Sequence, residues 1–282
     1  MRSHFPEVVV IGSEARSERL GDCRSMSGTE AEKAALRADG WRFSGDPTAP
    51  AGPAEQQGAW VAENAVESAA DVATRLKAAV CQNGQLAADS VLEAMAIDDR
   101  AEVQAGGCSA LAILCESQAG RRCAQGKDAL AAVLRALAAH PEVPAVQASG
   151  CAAIANLVLE EGEAAVLATG AIGAVIKALA AHPEAVAVQA KGCLALGNIA
   201  GGDAGEAEAV RCGAVAAAVA ALRACNDAKV AEEAVDALSN LTANPPGLAA
   251  LAATDAPREL LERVAAAHGL ADAKALAGRL PA

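Results

Sequence analysis

Nine cysteines and four histidines are the side chains of this 282-residue chain that could hold a metal, close disulfides or act as nucleophiles. Their spacing argues against all three. There is no Cys-x-x-Cys pair and no cluster with metal-ligand spacing. Cys108, Cys151 and Cys193 instead fall 43 and 42 residues apart, and Cys81 and Cys123 fall 42 apart. Residues that recur once per structural unit sit about one unit apart, beyond the ~7 Å Cα separation that a disulfide spans. They read as small buried hydrophobes with free thiols. His140 and His182 repeat in the same way, and His268 nearly so. Each closes an expected helix, where a cation suits the negative end of the helix dipole. No Ser/His/Asp set and no P-loop is present, so the chain is read as non-enzymatic, with no metal and no cofactor.

The elements that position these residues follow from the period itself. Val146-Gln-Ala-Ser-Gly-Cys-Ala-Ala-Ile-Ala-Asn-Leu-Val158 is restated as Val188-Gln-Ala-Lys-Gly-Cys-Leu-Ala-Leu-Gly-Asn-Ile-Ala200. Val103-Gln-Ala-Gly-Gly-Cys precedes them and Val230-Ala-Glu-Glu-Ala-Val follows, giving Val spacings of 43, 42 and 42. A further step back reaches Val61, and a step forward reaches Asp272, with Leu280 at the phase of Leu111, Ile154, Leu196 and Leu238. Self-similarity at such a period marks a repeat architecture. Each unit reads as three helices. A short one ends at Gly84, Gly126, Gly170 or Gly213, a second runs as Ala171 to Ala181, and a third begins near the repeated Val. In the third, Val146, Cys151, Ile154 and Leu157 share a face. Gly150 and Gly192 interrupt it at a cost of ~1 kcal/mol each against Ala, which predicts the close approach of a neighbouring helix.

Composition agrees with an all-α solenoid. Hydrophobic residues make up 53% and aromatics 1%, so the core must be aliphatic and Ala-rich. The formal net charge of −12 argues against nucleic acid as a partner, because a phosphate binder needs a basic face. No apolar run is long enough to span a membrane, and no signal-peptide core precedes the repeats. These features predict a cytoplasmic or other reducing compartment. Val8-Val-Val-Ile-Gly12 has the form of the entry to a dinucleotide fold, but Ser13-Glu-Ala-Arg16 lacks the glycines that would follow phosphates.

The order Gly-Ala-Ile…Leu, a short polar break, then Val-Gln-x-x-Gly-Cys-x-x-Leu-x-Asn-Leu resembles the armadillo repeat over residues 61–282. The resemblance implies a right-handed α-solenoid of about five armadillo-like repeats. HEAT repeats fit less well, because their units have two helices. In armadillo proteins the third helix lines a groove, and the Asn matching Asn156, Asn198 and Asn240 commonly hydrogen-bonds the backbone of an extended peptide. The alternative for these amides is a structural tie to the next loop. Ile113 and Asp71 break the series. Importin-type members also place a Trp four residues before the Asn. Glu67, Ser109, Ala152, Leu194 and Asp236 stand there instead, so nuclear-signal recognition is not expected. The groove floor expected from these positions is small and apolar at Ser109, Ala152 and Leu194. It is acidic towards its ends, at Glu67 and Asp71 and at Glu232, Glu233 and Asp236. It suits a protein partner with an apolar centre and basic flanks.

Residues 1–60 do not fit the repeat. They read as an irregular arm with a possible strand at Val8–Ile11, a short helix from Thr29 to near Gly40, and a Pro/Gly linker at 44–53. Phe5, Trp41, Phe43 and Trp60 are the chain's aromatics, and all lie here. Aromatic rings bring large contact areas to cores and interfaces. The arm therefore either caps the first repeat, which a solenoid end requires, or anchors a partner. The expected function is a protein–protein scaffold or adaptor working through the groove, the arm or both. The alternatives are a structural subunit of an axonemal or organellar assembly and a regulatory repeat segment of a multidomain enzyme.

Overall fold

The computed structural model describes residues 41–43, 60–62, 84–125, 128–159 and 167–280. Phe5, Cys23, Glu67, Asp71, Cys81, the Val8 segment, the Thr29 helix and the 44–53 linker lie outside them. The chain divides into two compact units, Met1–Ser68 and Ala69–Ala282.

In the first unit, β1 (Trp41–Phe43) runs antiparallel to β2 (Trp60–Ala62), with Arg42 opposite Val61 and Phe43 opposite Trp60. This differs from the sequence expectation in two ways. Val61 lies in a strand where the repeat phase predicts the start of a third helix, and the compact units part after Ser68. The physical reason is local: Trp, Phe and Val favour a pleated, paired backbone over a helix.

The second unit is an α-solenoid. Its first described repeat holds α1 (Gly84–Ile97) and α2 (Ala101–Leu114). The second holds α3 (Gln118–Gln125), α4 (Ala129–Ala139) and α5 (Pro144–Leu157). The third shows α6 (Ala171–Ala181) and α7 (Val186–Ile199). The fourth is α8 (Asp203–Arg211), α9 (Ala214–Ala224) and α10 (Ala228–Leu241). The fifth is α11 (Pro245–Ala252), α12 (Pro257–His268) and α13 (Ala271–Arg279). The third helices α2, α5, α7 and α10 pack one against the next as a layer, and α13 follows α10. A single aliphatic core runs from Ala88 to Leu280 and includes the fully buried Leu111, Ile154, Leu196 and Leu238 of the repeated phase.

The turns into the second helices α4, α6, α9 and α12 each use a left-handed residue. Gly170 and Gly213 supply it at φ 79° and 91°, as the sequence predicts, but the second repeat uses Asp128 at φ 55° and the fifth Ala256 at φ 40°. Gly84 opens α1 rather than ending a short helix, and Gly126 lies outside the described residues. The glycines inside the third helices do mark a close approach. A Cβ on Gly150 would lie 2.4 Å from Leu137 Cδ2, and one on Gly192 would lie 2.5 Å from Leu179 Cδ2. The second helix of the same repeat thus drops a leucine onto a third helix that has no side chain there.

Candidate functional site

Two ladders of side-chain amides hold the third-helix layer, and together they define the face it leaves open. The first ladder fastens each third helix to the second helix of its own repeat. Pro141 and Pro183 have no N–H, so they cannot continue α4 and α6 by donating to the carbonyls of Leu137 and Leu179 four residues earlier. Those two carbonyls at the helix ends would otherwise be orphaned. Gln147 Nε2 donates to Leu137 O and His140 O, both at 2.9 Å. Gln189 Nε2 donates to Leu179 O and His182 O, both at 2.8 Å. Gln104 does the same for Met95 O at 2.8 Å and Asp98 O at 2.6 Å. A primary amide suits the task because one nitrogen carries two N–H groups. All three glutamines are buried. Sequence reasoning missed them as structural residues, although their fixed place three residues before the helix-interior Gly-Cys pair, together with the His-Pro break in two of the repeats, carries the signal.

The second ladder joins successive third helices. Asn156 Nδ2 donates to Ala112 O at 2.8 Å, Asn198 Nδ2 to Ala155 O at 2.8 Å, and Asn240 Nδ2 to Gly197 O at 3.0 Å. Each accepting carbonyl lies in the last turn of the preceding third helix, where backbone partners run out. The amides therefore tie to the helix behind, not to the next loop, and one N–H of each is committed to the scaffold. Ile113, at the same phase in α2, has no amide and packs half-buried against the core.

A third row lies at the corners between second and third helices. His140 and His182 are the C-cap residues of α4 and α6, and His268 ends α12. His182 Nε2 stands 2.8 Å from Pro141 O, so this nitrogen carries the proton and donates. Cys225 Sγ donates to Pro183 O at 3.2 Å in the next repeat. His140 Nε2, at the head of the row, is buried with no hydrogen-bond partner among the described residues. The dipole reading of these histidines is thus incomplete, because His182 also links repeats.

Ser109, Ala152 and Leu194 are half-buried at one position per repeat on the third helices, Ala152 and Leu194 with part of their surface against the core, and Asp236 is exposed at the same phase. Glu233 is mostly buried, with its carboxylate 2.9 Å from Lys229 Nζ, and Glu232 lies 3.0 Å from the same ammonium. Partial burial pushes the Asp236 carboxyl above its ordinary range, and the negative charges of Glu233, Glu232 and Asp272 add to that. The central apolar stretch and the acidic end at α10 are thus brought onto one layer. Glu67 and Asp71, expected at the other end, lie outside the described residues. Of Trp41, Phe43 and Trp60, the structure describes only the paired backbone.

The cysteines form no chemical centre among the described residues. Cys108, Cys115, Cys123, Cys151, Cys193, Cys212 and Cys225 are free thiols. Burial pushes the Cys108, Cys151 and Cys193 thiols up to about 12, so they stay protonated and inert. No group of three or more His, Cys, Asp or Glu side chains is placed to hold a metal among the described residues. No helix among them is long and apolar enough to cross a membrane.

Three-helix units stacked through a continuous third-helix layer define the armadillo-repeat fold. Residues 204–243, spanning α8 to α10, match the armadillo/β-catenin-like repeat family. Among solved structures, a designed armadillo repeat protein in complex with the peptide (KR)4 is similar at 19% identity and a TM-score of 0.59, with 73% of this chain and 88% of that one covered. An engineered protein solved by the Northeast Structural Genomics Consortium is similar at 22% identity and a TM-score of 0.54, over the same shares of the two chains. No curated protein matches the chain.

Proposed function

We propose that the protein is a non-catalytic scaffold that binds an extended segment of a partner protein along the open face of its third-helix layer. The observation that carries this reading is the layer itself. The two amide ladders and the buried Val-Cys-Leu face hold four third helices in register, while Ser109, Ala152, Leu194 and Asp236 are left accessible one repeat apart. Apolar partner residues suit Ala152 and Leu194. A basic residue suits α10, where it would relieve the crowding of Asp236, Glu232 and Asp272. The similarity to a designed armadillo protein bound to (KR)4 supports the mode of binding. The asparagines contribute first by fixing the layer, and among the described residues no bond engages their second N–H or their carbonyl, which can meet a peptide backbone.

The test is a fluorescence-anisotropy titration of a labelled peptide with an apolar centre and Lys/Arg flanks. Asp236→Lys, an exposed change, should weaken binding about tenfold, or ~1.4 kcal/mol, with circular dichroism unchanged. Ala152→Glu should weaken it by the same order. Unaltered affinity in both variants rules this face out.

A further inference from the structure

The corner of the fourth repeat differs from the three before it. Leu222, Cys225 and Ala231 occupy the places held by Met95, Asp98 and Gln104 in the first described repeat, with the same separations of nine and six residues. The glutamine is therefore replaced by Ala231. No hydrogen bond among the described residues reaches Leu222 O or Cys225 O, the counterparts of the carbonyls that accept the glutamine amide elsewhere. In the same place lies an open cavity of about 280 Å³, lined among others by Leu222, Cys225, Ala231, Arg223, Arg263 and His268.

We propose that this cavity is a ligand site for a primary carboxamide joined to a carboxylate, as in a glutamine derivative or a glutamine in an acidic segment. The chain itself shows the complementary group: in three other repeats a carboxamide nitrogen sits 2.6–2.9 Å from the equivalent pair of carbonyls. An ammonium group could also donate twice, but the guanidinium groups of Arg223 and Arg263 line the cavity and oppose a further cation. Arg223 is engaged with the Asp255 carbonyl and lies 3.8 Å from its carboxylate. Arg263 makes no ion pair among the described residues and is exposed, which leaves it to receive the carboxylate. At the same corner Asp227 caps the start of α10, accepting from Lys229 N at 2.9 Å and Val230 N at 3.3 Å, and as an acceptor it leaves the two carbonyls without a donor.

The test uses the full chain and two readouts. Ala231→Gln should restore the internal amide bonds and raise the melting temperature by about 2–4 °C. In NMR titrations, N-acetyl-L-glutamine should shift the Leu222 and Ala231 methyl signals, and N-acetyl-L-glutamate should not. Both Ala231→Gln and Arg263→Ala should abolish or weaken the response. Tighter binding of a capped Glu-Gln-Glu peptide than of N-acetyl-L-glutamine would identify a partner segment as the source, and the reverse order a free small molecule. Equal shifts with N-acetyl-L-glutamate, or shifts that persist in Ala231→Gln, overturn the proposal. So does an Ala231→Gln variant no more stable than the parent protein.

Discussion

In the second and third repeats a buried glutamine and a helix-interior glycine close the corner between second and third helices. In the fourth, Ala231 and Ala234 stand at those positions and Asp227 holds the corner from the other side. The helices meet in the same order in both. Among α2, α5, α7 and α10, only α10 has a side-chain N-cap, and it is also the one that lacks the glutamine. The glutamine supplies donors to the carbonyls that end the second helix, whereas Asp227 accepts from the N–H groups that begin the third and leaves those carbonyls open. The first solution fills the space beneath the corner and the second leaves a cavity, so a small change of sequence inside a repeat produces local individuality without altering the stacking.

This comparison is most directly broken at Gln189. Gln189→Leu keeps the volume but leaves Leu179 O and His182 O without their donor in a buried setting, which should destabilise the protein by about 2–3 kcal/mol in denaturant unfolding. If the loss is only a few tenths, the glutamine ladder does not hold the corner. Asp227→Ala should be milder, about 1 kcal/mol in the same measurement, and substitution of Val143 or Ala185, which offer no side-chain cap, should show no comparable loss of capping. Additivity of Asp227→Ala with Gln189→Leu, measured in the double variant, would show the two corners to be independent.

The smallest effect concerns pH. The Asp236 carboxyl titrates above its ordinary range because of partial burial and its acidic neighbours, so the folded state favours its protonated form. The group therefore opposes folding while it is charged, and that penalty disappears as pH falls through its raised value. Stability attributable to Asp236 should rise slightly on mild acidification, while affinity for a basic peptide falls over the same range. Asp236→Asn should remove both trends; a basic peptide that binds more tightly on acidification would contradict the assignment of its charge to α10.

Much of this architecture was legible as a period. The phase of Cys108, Cys151 and Cys193 placed them in the core, and Gly150 and Gly192 announced a close neighbour that proved to be Leu137 and Leu179. What the period could not tell is which partner an amide takes. Asn156, Asn198 and Asn240 share one phase, yet their partners lie 43 or 44 residues away, on a helix whose distance in space the sequence does not state. The glutamines were passed over for a related reason: a buried polar residue looks like any other until the missing N–H of Pro141 and Pro183 is connected with it. At Val61 the strand preference of Trp60 and Val61 beside Trp41–Phe43 outweighs the echo of the repeat in Val61-Ala-Glu-Asn-Ala-Val66.

The central claim is that a partner segment lies on the open face of the third-helix layer. Amide NMR of the full chain, titrated with a peptide of apolar centre and basic flanks, tests it most directly. The account predicts shifts confined to α2, α5, α7 and α10, strongest around Ala152, Leu194 and Asp236. Shifts concentrated instead on α4, α6 and α9, with the third helices silent, would contradict it.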